Sequence, residues 1–128
     1  MLIDDSVGQA APPEPGMASV VVSIDNTGDT CTLSGFAGID LTTSMGHTPV
    51  QHGSDQPTTV TLARGGRTTF TIWYHPNPPG QVGITVHLLH VTPPGGTQRQ
   101  SMLWPGTDLA YEPGSNATAP LFEEPVGH

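Results

Sequence analysis

Six histidines, His47, His52, His75, His87, His90 and His128, stand among eleven carboxylates in a chain of 128 residues, and imidazole is the side chain most readily turned to chemistry near neutral pH. A metal centre needs two to four such ligands brought together, and in a strand, where side chains alternate between faces, spacing decides which can meet. His87 and His90 point to opposite faces of any regular strand, so they cannot chelate together without a bulge. A pairing of His75 or His90 with His47 or His52 stays open, which makes His47, His52, His75 and His90 the candidate ligand set for Zn²⁺ or Cu²⁺. No compact ligand spacing occurs in the chain, so ordinary strand and loop histidines are the plainer reading. A blue-copper centre would also need cysteine, histidine and methionine gathered on one closing loop, whereas Cys31 sits alone in an early strand.

Nucleophilic catalysis finds less support. No Gly-x-Ser-x-Gly elbow exists, and the glycine-flanked Ser34 and Ser54 read as turn residues. The acid pairs Asp4-Asp5 and Glu123-Glu124 lie in terminal segments, where solvated charge is the expected state. Cys31, the one cysteine, can form no intrachain disulfide and reads as a small apolar strand residue. Trp73 is the more pointed candidate. If Phe70, Ile72 and Tyr74 face the core, Trp73 falls on the outer face with Thr71 and His75, and those three residues become a candidate partner-binding patch. The alternative is that Trp73 covers a loop or packs under Pro76 to Pro79. Asn116-Ala-Thr118 matches a glycosylation acceptor, a pattern common by chance.

The elements that must position these residues are short and β. Ala18 to Ile24 alternates, with Val20, Val22 and Ile24 on one face, and Asp25-Asn-Thr-Gly28 supplies a tight reversal. Strand patterns follow over Thr30 to Phe36, Gly38 to Leu41, Thr58 to Ala63, Thr68 to His75, Val82 to Val91 and Ser101 to Trp104. Met45 to Pro57 reads as one long polar loop. Residues 1–16 read as an irregular start, and 105–128 as a loop-rich end with an edge strand over Ala117 to Phe122. No helical apolar stripe is found. About seven to nine short strands at regular spacing predict a single all-β domain of immunoglobulin-like antiparallel sandwich type, with a closed barrel as the alternative.

Composition narrows function further. Three arginines are the only bases against eleven acids, giving a net charge of −8, and lysine is absent. Nucleic acid is therefore not an expected partner, and Schiff-base or P-loop lysine chemistry is excluded. No stretch is long and apolar enough to span a membrane. The N-terminus lacks a basic and an apolar signal region, which fits a mature domain without its leader or lipoprotein anchor.

The run Val22-Ser-Ile-Asp-Asn-Thr-Gly-Asp-Thr-Cys-Thr-Leu-Ser-Gly-Phe-Ala-Gly-Ile-Asp-Leu41 resembles the signature of an actinobacterial secreted and lipoprotein family, domain of unknown function 4232. Val60-Thr-Leu-Ala-Arg-Gly-Gly66 and Leu89-His-Val-Thr-Pro-Pro-Gly95 fall in the matching order. Family members usually carry further cysteines, and this chain has Cys31 alone. The resemblance implies export to the cell envelope and no catalytic residue or cofactor. By the same analogy His87 shares an inward face with Leu89 and Val91. The expectation is a non-catalytic envelope or extracellular binding or structural domain. It would contact a protein or glycan through the Trp73 face or the 45–57 segment. The alternative is a histidine-based metal-binding envelope protein.

Overall fold

The computed structural model describes residues 2–9, 11–96, 98–112 and 118–127; His128 and most of the Asn116 acceptor pattern lie outside them. Eleven strands follow one another: β1 Leu2–Val7, β2 Ala18–Asp25, β3 Cys31–Ser34, β4 Gly38–Thr43, β5 Gly46–Pro49, β6 Gln51–His52, β7 Thr59–Leu62, β8 Arg67–Tyr74, β9 Val86–Thr92, β10 Gln100–Leu103 and β11 Phe122–Glu123. They form a five-stranded sheet ordered β1-β2-β8-β11-β6, a four-stranded sheet ordered β10-β9-β4-β5, and the pair β3-β7. All pairings are antiparallel except β11 with β6. Among the described residues no ladder joins the edges of the two larger sheets, so the molecule is a sandwich and not a barrel.

Alternation explains the layers. Val20, Val22 and Ile24 of β2 lie with Phe70, Ile72 and Tyr74 of β8 on one inner face, and Leu41, Leu89 and Val91 line the other, all in one buried cluster. The expected strand faces therefore hold for the core. No helix is present among the described residues, hence none long and apolar enough to cross a membrane.

Several expectations are corrected by contacts between segments distant in sequence. The start of the chain is not irregular throughout, because Leu2 to Val7 adds as an edge strand along β2. The stretch 45–57 is not one loop. A tight turn at Ser44-Met45 lets Gly46, with φ of +96°, pair with Thr43, and β5 runs back along β4. That hairpin buries Thr48, whose hydroxyl lies 3.0 Å from that of Thr43, so its inward positions are polar and carry no hydrophobic alternation. In the Asp25 to Gly28 turn no residue has positive φ. The reversal is built instead by the buried Asn26 side chain, which donates to the carbonyls of Asp29 and Leu62 and accepts from the Gly28 amide. In the loop-rich end, Leu109 is nearly fully buried and exchanges two backbone hydrogen bonds with Ile84, at 2.8 and 2.9 Å.

The pair Glu123-Glu124 is not solvated. The registers set Val20, Ile72, Glu123 and His52 in one row across the five-stranded sheet, on the face that carries the core. Glu123 is 1% exposed, and neither carboxyl oxygen has a hydrogen-bond partner among the described residues. Loss of hydration disfavours the anion and pushes the pKa up to about 8, so Glu123 is a neutral acid in the folded protein at neutral pH. Asp5 departs from expectation in the same direction, being half-buried in β1 with its pKa raised first by burial and then by Asp4.

Two tests follow from this packing. Between the ordinary carboxylate value of 4.5 and about 8 the folded protein keeps the Glu123 proton that the unfolded chain has released. Stability therefore falls as pH rises through that window, by up to about 1.4 kcal/mol per pH unit, and levels off above it. Urea unfolding of wild type and Glu123→Gln across pH 5 to 9 should show that slope in the difference between the two; parallel curves would refute the buried neutral acid. Leu109→Ala should cost about 2 to 5 kcal/mol through lost burial and a residual cavity. A cost well below about 1 kcal/mol would mean that this segment is not docked.

Candidate functional site

The outer face of the four-stranded sheet gathers a row of hydrogen-bonding side chains from all four strands. β10 contributes Ser101, β9 His90, β4 Asp40 and Thr42, and β5 His47. Register places Ser101 opposite His90, His90 opposite Asp40, and Thr42 opposite His47. Leu41, Leu89 and Val91 point the other way into the core, so the polar row is fixed by the burial of its apolar neighbours.

His90 is the centre of the row. Its Nδ1 lies 2.6 Å from Ser101 Oγ, and its Nε2 lies 2.7 Å from Thr42 Oγ1. A neutral imidazole has one N–H and one acceptor nitrogen, so the ring donates to one hydroxyl and accepts from the other. At 6% exposure, burial holds its pKa below the ordinary histidine range; the Arg99 charge adds to this and Asp40 opposes it. Beside it, Asp40 Oδ2 is 2.9 Å from His47 Nδ1 and 3.9 Å from Arg99 Nη2. Asp40 thus ties the hairpin of β4 and β5 to the approach of β10, while the His47 side chain remains 72% exposed.

A β-bulge shapes the neighbouring edge. Thr42 pairs with Leu88 but Thr43 pairs with Val86, which leaves His87 as the extra residue. His87 is exposed, correcting its expected place on the inward face with Leu89 and Val91, both of which are buried as expected. The bulge does not bring His87 into a cluster with His90.

The four candidate metal ligands divide between distant places. His47 and His90 share the face just described, but both His90 nitrogens are engaged by hydroxyls and His47 Nδ1 by Asp40. His52 stacks on Phe36, with ring centroids 4.1 Å apart and planes within 2°. His75, just past β8, stands 3.8 Å from Glu14. Among the described residues no group of three or more His, Cys, Asp or Glu side chains is placed to hold a metal ion.

The Trp73 patch is corrected as an exposed feature. Trp73 does lie opposite in phase to Ile72 and Tyr74, yet it is only 4% exposed. Its cross-strand neighbours are Ser19 and Phe122, and its indole N–H donates to Glu124 Oε1 at 2.8 Å. The C-terminal strand covers the tryptophan that sequence alternation turned outward. Thr71 and His75 are half-buried beside it.

One cleft of about 330 Å³ opens between β3 and the loop after β9, lined by Cys31, Thr32, Leu33, Pro93 to Gly96, Gln98 and Gln100. Cys31 is half-buried there with a free thiol. Ser101, Thr42, Asp40 and Arg99 carry no local sequence signal. Thr42 and His90 are 48 residues apart, and only the pairing of β4 with β9 makes them neighbours.

No curated protein and no solved structure matches the chain. A family model described as Domain of unknown function (DUF4232) matches residues 5–123, from within β1 to the end of β11. The strand order and the core described above are thus those of a member, and the chain belongs to this family of domains of unknown function.

Proposed function

We propose that this is a non-catalytic binding domain of the cell envelope or extracellular space, of the actinobacterial secreted or lipoprotein kind, which holds its ligand on the outer face of the four-stranded sheet. The observation that carries the reading is the row Ser101, His90, Thr42, Asp40, His47 with Arg99 at its rim. It presents donors, acceptors and one cation on a rigid sheet, while Leu41, Leu89 and Val91 of the same strands are committed to the core and Leu103 of β10 stays exposed. Such a surface suits a polar, hydroxyl-rich ligand such as an envelope glycan, or a polar protein surface, better than an apolar one. The family resemblance supports the envelope placement, and the acidic, lysine-free composition argues against nucleic acid.

Titration of the ¹⁵N-labelled domain with soluble cell-wall glycan fragments is expected to move amide signals of Asp40, His47, Arg99 and Ser101. The double variant Asp40→Ala/His47→Ala should lose the response. Shifts confined to other surfaces, or none, would remove this face as the glycan site. The histidine-based metal reading is tested in parallel by calorimetry with Zn²⁺ and Cu²⁺. Stoichiometric sub-micromolar binding lost in His47→Ala and His90→Ala would replace the glycan reading; the expected result is no such binding.

A further inference from the structure

Ser101 and His90 stand in the relation of a nucleophile to its base. The Ser101 hydroxyl is 2.6 Å from Nδ1, and the ring is held at its far end by Thr42, 2.7 Å from Nε2. When Nε2 carries the ring proton and donates it to Thr42 Oγ1, Nδ1 is left as an acceptor aimed at the Ser101 O–H. The ring is almost wholly covered while Ser101 faces solvent, so the base is shielded and the nucleophile is reachable. Two charged groups complete the arrangement. Asp40 lies opposite His90 in register and favours the imidazolium that proton transfer would create. Arg99 precedes Ser101 by two residues and lies 3.9 Å from Asp40, so a cation stands at the rim of the same face.

From this geometry we infer that Ser101 is an acyl-accepting serine that is esterified by activated carboxylic esters or thioesters. The step is balanced by the groups present. Ser101 Oγ attacks the acyl carbon and forms the new C–O bond as its proton passes to His90 Nδ1. The tetrahedral intermediate collapses with cleavage of the bond to the leaving oxygen or sulfur. The same proton then moves from His90 to that leaving group, yielding the Ser101 ester and a free alcohol or thiol without any redox change. The step as inferred ends at the Ser101 ester, so the reaction is a stoichiometric modification. The inference uses the face assigned above to ligand binding but does not require a glycan to bind there, and the two can fail separately.

The test is p-nitrophenyl acetate with the intact folded domain. Expected are release of one equivalent of p-nitrophenolate, addition of one acetyl group by intact mass, and its localisation to Ser101 by peptide mapping. Ser101→Ala should abolish the adduct, and His90→Gln should slow it about a hundredfold, within the usual range for loss of a general base. Thr42→Val, which frees the ring, should give a smaller loss. The wild-type rate should rise with deprotonation of His90 below pH 6.5, its ordinary value, and then plateau. That profile keeps the test meaningful even where His90→Gln unfolds. Acetylation spread over other side chains, an equal rate in folded His90→Gln, or a rate that climbs with hydroxide and never levels off would each overturn the assignment.

Discussion

The eight-residue ladder between β2 and β8, from Ala18 opposite Tyr74 to Asp25 opposite Arg67, is the constraint on which the rest of the molecule rests. Its inner face supplies Val20, Val22, Ile24, Phe70, Ile72 and Tyr74, all effectively removed from water. At about 1.5 to 3 kcal/mol for each large apolar side chain, that one pairing contributes on the order of 10 kcal/mol of burial free energy. A slip of either strand by one residue would turn its three core side chains to solvent, so the register is strongly fixed. Arg67 closes one end of the ladder on Asp25 at 2.6 Å, which holds that carboxylate below its ordinary range. Being exposed, this pair marks the end of the ladder more than it stabilises it.

The polar row is placed by the sheet opposite this ladder. Leu41 and Leu89 are directly paired across β4 and β9 and both point inward. Their outward neighbours, Asp40, Thr42 and His90, are thereby set on one face without any loop being ordered for the purpose. The β4-β5 hairpin extends the row to His47, and β10 extends it to Ser101. A site built on paired strands is held to the accuracy of the backbone ladder, which is why a hydroxyl can flank each nitrogen of one imidazole at 2.6 and 2.7 Å. The cost of such a platform is enclosure. It displays groups without surrounding them.

Much of the fold was legible in the sequence because period-two alternation is a local property. Val20, Val22, Ile24, Phe70, Ile72 and Tyr74 announce their face without reference to any partner. The site was not legible for the converse reason. Asp40, Thr42 and Ser101 are ordinary polar residues on the solvent side of strands, and what singles them out is who stands opposite. The histidine count directed attention to four residues, of which the fold joins His47 and His90 on one face. Trp73 failed as an exposed anchor for a similar cause. Alternation gave its face correctly, but the cover provided by Phe122 and Glu124 comes from some fifty residues away, the separation of its hydrogen-bond partner being 51. Glu123 is the sharpest case. Two adjacent acids near a terminus look solvated, and only the insertion of β11 between β8 and β6 drives one into the core and the other onto an indole.

Charge adds a last constraint on what the face can meet. The chain has three cationic side chains that are always charged, against eleven acids. Arg64 and Arg67 flank one turn and are engaged by Asp29 and Asp25. Arg99 lies elsewhere, at the rim of the His90 row, with Asp40 at 3.9 Å and so only loosely held. An anionic ligand approaching a protein of net charge −8 is repelled over most of the surface. It finds a guanidinium with spare hydrogen-bonding capacity at the rim of this row. The neutral state of His90 has another source, since a second cation beside Arg99 in a buried position is disfavoured first by desolvation and then by repulsion. Burial and the Arg99 charge keep the imidazole a base, and the scarcity of other cations makes Arg99 the local counter-charge at the rim of the row that holds Ser101 and Thr42.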